Sequence, residues 1–332
     1  MKRLVSFFGD KSPVFEELNN RAKEYALEKN IEFVWDPQLP FDWDDVVENL
    51  NNSDAALIDI QPYNESVFSR MNDRCKILIR FGVGYDAVDL DAATRHGICV
   101  ARTAGANKTG VAEMALTQIL AVNRQLGENR KVIESGHWVK NQGHELLGKR
   151  VGILGFGNIG RQLAKLLKGF SCEILVYDNH RDEEAAGRAG VRYAGLDEIF
   201  STCDAISVHL PYNENTHHII GEHYLRMMKK DAVIVCTARG NIVDEDALYE
   251  VLAEHRIGGA GLDVYATEPL PADSKLIGLD NLVLTPHVSS QTVESNWNIY
   301  KRGIEIAADF FEGKELGRAD LLNPSYAEYP RA

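Results

Sequence analysis

The feature that most limits what this chain can fold into is the run Gly155-Phe156-Gly157-Asn158-Ile159-Gly160, set between a strand and a helix. The strand is Val151-Gly152-Ile153-Leu154, and the helix carries apolar positions at Leu163, Leu166 and Leu167. Alone, G-x-G-x-x-G is a weak pattern. Its surroundings complete it, because the next strand, Glu173 to Tyr177, leads into Asp178, 18 residues after Gly160. Glycines permit a tight turn and close approach of the backbone to a ligand. The helix N-terminus then offers unpaired N–H groups and a positive dipole to a pyrophosphate. Asp178 is placed to accept hydrogen bonds from ribose hydroxyls and to repel a 2′-phosphate, which favours NAD over NADP. Arg181, three residues on, leaves room for that phosphate but reads better as a solvated loop charge.

Around this unit the chain alternates strands and helices. In the first hundred residues, strands are expected at Leu4 to Phe8, Ile31 to Trp35, Ala55 to Ile60 and Lys76 to Phe81. Helical segments separate them, the first opened by Ser12-Pro13 with serine at the cap. Asn107 to Leu126 reads as one long helix, followed by a polar stretch from Gly127 to Gly148. A second series has strands at 151–154, 173–177, 205–209, 232–236, 260–264 and 282–284, and a last helix runs from about Thr292 to Phe311. Strands alternating with helices imply parallel pairing through right-handed crossovers. A length of 332 residues with 45% apolar content supports two such domains, each with its own core.

A net charge of −13 without a Lys/Arg patch argues against nucleic acid as a partner. The five cysteines are scattered and never form C-x-x-C, as expected of buried thiols in a reducing compartment. The opening Met1 to Phe8 is too short for a signal segment and no run approaches ~20 apolar residues. A cytoplasmic chain with no membrane partner is expected.

Ligands of open α/β sheets bind beyond the carboxyl ends of strands. Only a few chemically able residues stand there: Arg239 after 232–236, Glu268 after 260–264 and His287 after 282–284. Each has an ordinary reading, since Arg-Gly and Glu-Pro are common in turns and a histidine after proline can be half-buried packing. Together, behind a dinucleotide motif, they make a chemical set. Histidine titrates nearest neutrality and suits acid/base work. Arginine's planar fork suits a carboxylate, and a neighbouring carboxylate orients an imidazole.

As an ordered set these residues resemble the D-isomer-specific 2-hydroxyacid dehydrogenases. The matching segments include Arg80-Phe81-Gly82-Val83-Gly84-Tyr85-Asp86, Asn107 through Glu113, Gly155 to Gly160 with Asp178, and His209-Leu210-Pro211. Ala238-Arg239-Gly240, Leu262-Asp263-Val264, Glu268-Pro269 and Thr285-Pro286-His287 complete them. The resemblance implies two doubly wound parallel-sheet domains: a Rossmann cofactor domain over 104–287, and a flavodoxin-like substrate domain over 1–103 and 288–332. It implies His287 as general acid/base, Glu268 as its partner and Arg239 as clamp for the carboxylate of a small 2-hydroxy or 2-keto acid. Backbone N–H groups of Val83 and Gly84 would also hold that carboxylate. The cofactor would meet Gly155, Gly157, Asn158, Ile159, Gly160, Asp178, His209, Pro211, Thr237, Ala238 and Asp263, with Asp263 bonding the nicotinamide carboxamide. Members are commonly homodimers, here through the 107–145 region, with Trp138 either an interface anchor or a cover for its own core.

The chain departs from the common pattern at Cys236-Thr237 and at Asn179. Two other readings share the nucleotide site: an NAD(H)-sensing binding protein of the corepressor type, and a phosphite or formate dehydrogenase. No basic tail supports the first, and Glu268 stands where formate dehydrogenases usually carry glutamine. The pair His217-His218 lacks acidic or cysteine neighbours in sequence, so no metal is expected. Phe81, Ile60-Gln61-Pro62, Trp297 and Tyr300 could line a substrate pocket or simply pack.

Overall fold

Short aliphatic runs buried on both faces build two fully parallel sheets, the pattern required when helices cover each side. In the computed structural model the chain divides into two units, Met1–Asn107 with Thr292–Ala332 and Lys108–Gln291. The structure describes residues 1–329.

The first unit holds β1 (Lys2–Ser6), β2 (Ile31–Trp35), β3 (Ala55–Ile58), β4 (Ile77–Arg80) and β5 (Cys99–Arg102), in the order β2-β1-β3-β4-β5. That is the flavodoxin-like order, with its topological switch between β1 and β3. The strand β5 is absent from the sequence expectation. Its outer edge is completed by the distant C-terminal segment: Leu321 bridges Ala101, and Asn323 accepts the Val100 N–H at 2.7 Å. The last helix, Val293–Phe311, starts where its cap residue predicts, with the Thr292 hydroxyl accepting the Ser295 N–H. It buries Ile299, Tyr300 and Ile304 against Leu4, Leu57 and Ile79 of the sheet.

The second unit holds β6 (Arg150–Leu154), β7 (Glu173–Tyr177), β8 (Arg192–Tyr193), β9 (Ala205–Val208), β10 (Val233–Cys236), β11 (Gly259–Leu262) and β12 (Leu282–Leu284). The order β12-β11-β10-β9-β6-β7-β8 is the Rossmann arrangement extended by one strand, and its switch lies between β6 and β9. The two-residue β8 is too short to show a periodicity. Register aligns the strand ends. Leu154 faces Tyr177 and Val208, Cys236 faces Val208 and Leu262, and Leu262 faces Leu284. The residues that follow each strand, Gly155, Asp178, His209, Thr237, Asp263 and Thr285, therefore share one rim.

The expected helix from Asn107 to Leu126 is Lys108–Asn123, and a second helix, Leu126–Glu134, occupies the start of the expected polar stretch. Gln125 takes a left-handed backbone (φ 49°) and ends the first. The Asn123 carbonyl instead accepts the His144 N–H at 2.8 Å, and a Cβ on Gly143 would lie 2.5 Å from that carbonyl oxygen. The second helix buries none of its residues, which is why its sequence reads as a polar stretch. The five cysteines are free, and four are buried. Among the described residues no helix is long and apolar enough to cross a membrane.

Candidate active site

The turn after β6 is built by three glycines with three tasks. Gly155 has φ +99°, and a Cβ there would lie 2.6 Å from the His209 carbonyl oxygen. At Gly160 a Cβ would meet the Gly155 carbonyl oxygen at 2.1 Å, so only glycine lets the helix Asn158–Leu167 pack so close to the strand. Gly157 faces open space, with nothing within 4 Å of its Cβ position. No side chain caps that helix, so its first N–H groups stay available to an anion. Beside the turn, Asp178 accepts the Phe156 N–H at 2.7 Å and the His180 N–H at 2.9 Å. The nearby cations are engaged: Arg161 pairs with Asp182 at 2.9 Å, and Arg181 lies over the Tyr193 ring at 5.3 Å. At the end of β9, His209 Nε2 lies 2.8 Å from the Ser207 hydroxyl, and burial pushes its imidazole down to about 4. The Thr237 hydroxyl is 3.5 Å from His209 Nδ1. An open glycine, an uncapped helix and a carboxylate at the next strand end fit a dinucleotide with free ribose hydroxyls.

Three further strand ends carry the reactive side chains. Arg239 follows β10 in an extended backbone and donates to the Ala238 carbonyl at 2.8 Å. A Cβ on Gly240 would lie 2.0 Å from the Tyr265 carbonyl oxygen, so glycine lets the arginine turn abut the loop after β11. In that loop the Tyr265 N–H donates to Glu268 Oε1 at 3.0 Å, while Glu268 Oε2 sits 2.7 Å from His287 Nδ1. The Tyr265 hydroxyl in turn donates to the Thr285 carbonyl at 2.9 Å, bracing the glutamate loop against the histidine loop. Burial holds that phenol up at about 12, so it stays a donor. The side chains of His287 and Glu268 are 48% and 36% exposed. With Nδ1 on the carboxylate, Nε2 is the ring nitrogen left for a reacting oxygen. Asp263 is wholly buried beneath them.

The model of the D-isomer specific 2-hydroxyacid dehydrogenase NAD binding domain matches residues 116–289, just over half the chain. The chain belongs to this family. It is an oxidoreductase of 2-hydroxy acids, and its second unit is an NAD binding domain. It is similar to a glyoxylate reductase of Korarchaeum cryptofilum, 35% identical over 81% of this chain and 83% of that one. A hydroxypyruvate reductase of Thermotoga maritima is 41% identical over 73% of this chain and 78% of its own. The solved structure of a D-2-hydroxyisocaproate dehydrogenase superposes with a TM-score of 0.85 at 26% identity, covering 97% of this chain and 100% of that one.

In this family member, the sequence-expected residues of the second unit gather on one rim, and Val83 and Gly84 belong to the first unit. They follow β4 in a loop whose backbone is tied down on both sides. The Arg80 guanidinium donates to the Phe81 carbonyl at 2.7 Å and lies 3.6 Å from Asp59. Gly82 and Thr103 exchange hydrogen bonds. Sequence reading assigns neither Arg80 nor Thr103 a role, although a charge at the end of a buried strand is a signal in itself. Phe81 and Tyr300 are core residues of that unit, with Phe81 stacked on Phe8 and edge-on to Tyr300, and Arg21 covers Trp297 at 3.6 Å. Ile60 is exposed.

His217 and His218 do not point apart as adjacent residues on a regular element do. His218 takes φ 49°, which stacks the two rings at 4.0 Å. Among the described residues no three metal-ligating groups converge.

Proposed function

We propose that this enzyme reduces glyoxylate and hydroxypyruvate with NADH, and runs the reverse oxidation of the corresponding D-2-hydroxy acids. The observation that carries the reading is the 2.7 Å pair of His287 Nδ1 and Glu268, both partly exposed and set one loop from Arg239. The names of the relatives support the substrate class. Bound NADH supplies the hydride. His287 Nε2 donates a proton to the carbonyl oxygen as it becomes a hydroxyl, and takes it back in the oxidative direction. Glu268 holds the ring in the tautomer and orientation this needs, and compensates the charge on the protonated ring. Arg239 receives the substrate carboxylate on its planar fork and draws charge from the carbonyl.

The cofactor residues in this reading are Gly155, Gly157, Asn158, Ile159 and Gly160 for the pyrophosphate, and Asp178 for the ribose. His209, Pro211, Thr237 and Ala238 line the floor. Preference for NAD over NADP is supported by the Asp178 carboxylate at the ribose position, with Arg181 drawn onto Tyr193. A homodimer through 107–145 is supported by five large apolar side chains exposed in one stretch, Leu126, Ile133, Trp138, Val139 and Leu147, with Trp138 82% exposed. Steady-state reduction of glyoxylate, hydroxypyruvate, pyruvate and phenylpyruvate with NADH tests the substrate claim. The first two should give the highest kcat/KM, and a preference for phenylpyruvate would refute it.

A further inference from the structure

Glu268 stands on the loop between β11 and β12, where irregular backbone rather than a hydrogen-bonded ladder sets its position. Its placement therefore depends on individual hydrogen bonds, and these converge on Tyr265. The Tyr265 N–H donates to Glu268 Oε1 at 3.0 Å, and its hydroxyl donates to the Thr285 carbonyl at 2.9 Å. The next N–H, that of Ala266, is turned to a different carboxylate. It donates to Glu245 Oε1 at 2.6 Å, 21 positions earlier in the chain. The two N–H groups flank Tyr265, so the two glutamates between them fix the backbone torsions of that residue. Burial pushes the Tyr265 phenol up, and both carboxylates lie near enough to add to that push.

Glu245 is suited to this task by where it sits. It is the first residue of the helix Glu245–Ala253, directly after the cap Asp244. Asp244 Oδ1 accepts the Asp246 and Ala247 N–H groups at 3.0 and 3.1 Å, which fills the cap and leaves the Glu245 carboxylate to serve a neighbouring segment. The turn before the helix is tied down as well. The Asp244 N–H donates to the Ile220 carbonyl at 3.0 Å, and the Asn241 carbonyl accepts the His218 N–H at 2.7 Å. Leu248, one turn on, is wholly buried. The helix also holds the far side of the loop, since Asp246 pairs with Lys275 at 2.7 Å. Closer in, a Cβ on Gly240 would lie 2.0 Å from the Tyr265 carbonyl oxygen and 2.5 Å from the Ala266 nitrogen. One segment, running from the arginine turn into the helix, thus packs against the Tyr265–Ala266 peptide and bonds its N–H.

We propose that Glu245 is a positioning residue: by accepting the Ala266 N–H it sets Tyr265 so that Glu268 is held against His287 Nδ1. The proposal rests on the reading of Glu268 as partner of the proton donor. Removing the acceptor frees the Tyr265–Ala266 peptide to rotate, and Glu268 loses the fixed donor that aims its carboxylate. Glu268 acts on the proton rather than on substrate affinity, so Glu245 should act on kcat and not on KM.

The test compares Glu245→Ala and Glu245→Gln with wild type, and makes Glu245→Ala again in a Glu268→Ala background. Glyoxylate reduction and NADH binding by fluorescence titration are measured for each. Glu245→Ala should lower kcat by about 5- to 20-fold, with the glyoxylate KM and the NADH Kd within about twofold of wild type. Glutamine keeps a carbonyl acceptor, so Glu245→Gln should retain at least about half the wild-type kcat. In the Glu268→Ala background Glu245→Ala should add less than about twofold, because the two act through one group. An unchanged kcat in Glu245→Ala would overturn the proposal. So would an equal loss in both backgrounds, or a Glu245→Gln loss as large as that of Glu245→Ala. Near wild-type turnover in Glu268→Ala alone would instead remove the reading of Glu268, and the proposal with it.

Discussion

At the residue scale, each side chain of the site carries its own measurable consequence. Arg239→Ala should raise the keto-acid KM at least about tenfold and lower kcat as well, because a bidentate clamp both binds and polarises. If neither parameter moves in steady-state assays, Arg239 is not the clamp. Asp178→Ala should weaken NADH at least about tenfold while leaving or improving NADPH, if the proposed contact of the carboxylate to the ribose diol holds. Equal losses for both cofactors would undo that role. His209 gives a pH dependence whose sign follows from burial. Its imidazole is held down to about 4 against an unfolded value of 6.5, so between those values the unfolded chain binds more protons. The contribution is complete above pH 6.5 and is lost as pH falls toward 4. The whole shift corresponds to ~3 kcal/mol. In His209→Gln the unfolding free energy should fall less steeply over that window, and an unchanged slope in denaturant titrations would contradict it. Arg239, Glu268 and His287 are legible in sequence because each lies in the loop that follows a strand. The bond from Ala266 to Glu245 and the Tyr265 brace are not, because they join segments some twenty residues apart through hydrogen bonds that leave no periodic trace.

At the scale of elements, the glycine turn makes the strongest demand. A methyl group at Gly160 would lie 2.1 Å from the Gly155 carbonyl oxygen, and backbone rather than a flexible side chain would have to move. Gly160→Ala should therefore cost about 1–3 kcal/mol in unfolding free energy and weaken NADH as the helix N-terminus shifts. A thermal melt within error of wild type would show that the contact is softer than its geometry. Strands were readable where the chain obeys one rule at a time: Ile31–Trp35, Glu173–Tyr177 and Leu282–Leu284 stand where the apolar runs stand. The fifth strand of the first sheet was not, since its edge is completed by Leu321 and Asn323 from the far end of the chain. The first helix of the second unit ends close to its expected bound, at Asn123 rather than Leu126, but the short helix Leu126–Glu134 was not legible, because it buries none of its residues.

At the scale of the whole molecule, the exposed apolar stretch from Leu126 to Leu147 needs a cover, and a second copy of the chain is the proposed one. Light scattering should give twice the chain mass of 37.0 kDa. Paired Ile133→Ser and Trp138→Ser substitutions should shift the population toward single chains, and a wild-type protein at single-chain mass would contradict the dimer. The division into two parallel sheets was legible from alternation alone, because parallel pairing requires a crossover after every strand. The central claim, that His287 moves the proton in a reaction for which the second unit holds NADH, is tested most directly in one experiment. NADH binding and single-turnover reduction of glyoxylate are measured side by side in wild type and His287→Ala. A turnover loss of about 1,000-fold or more is expected, with the NADH Kd within about twofold. Near wild-type turnover in His287→Ala would contradict it.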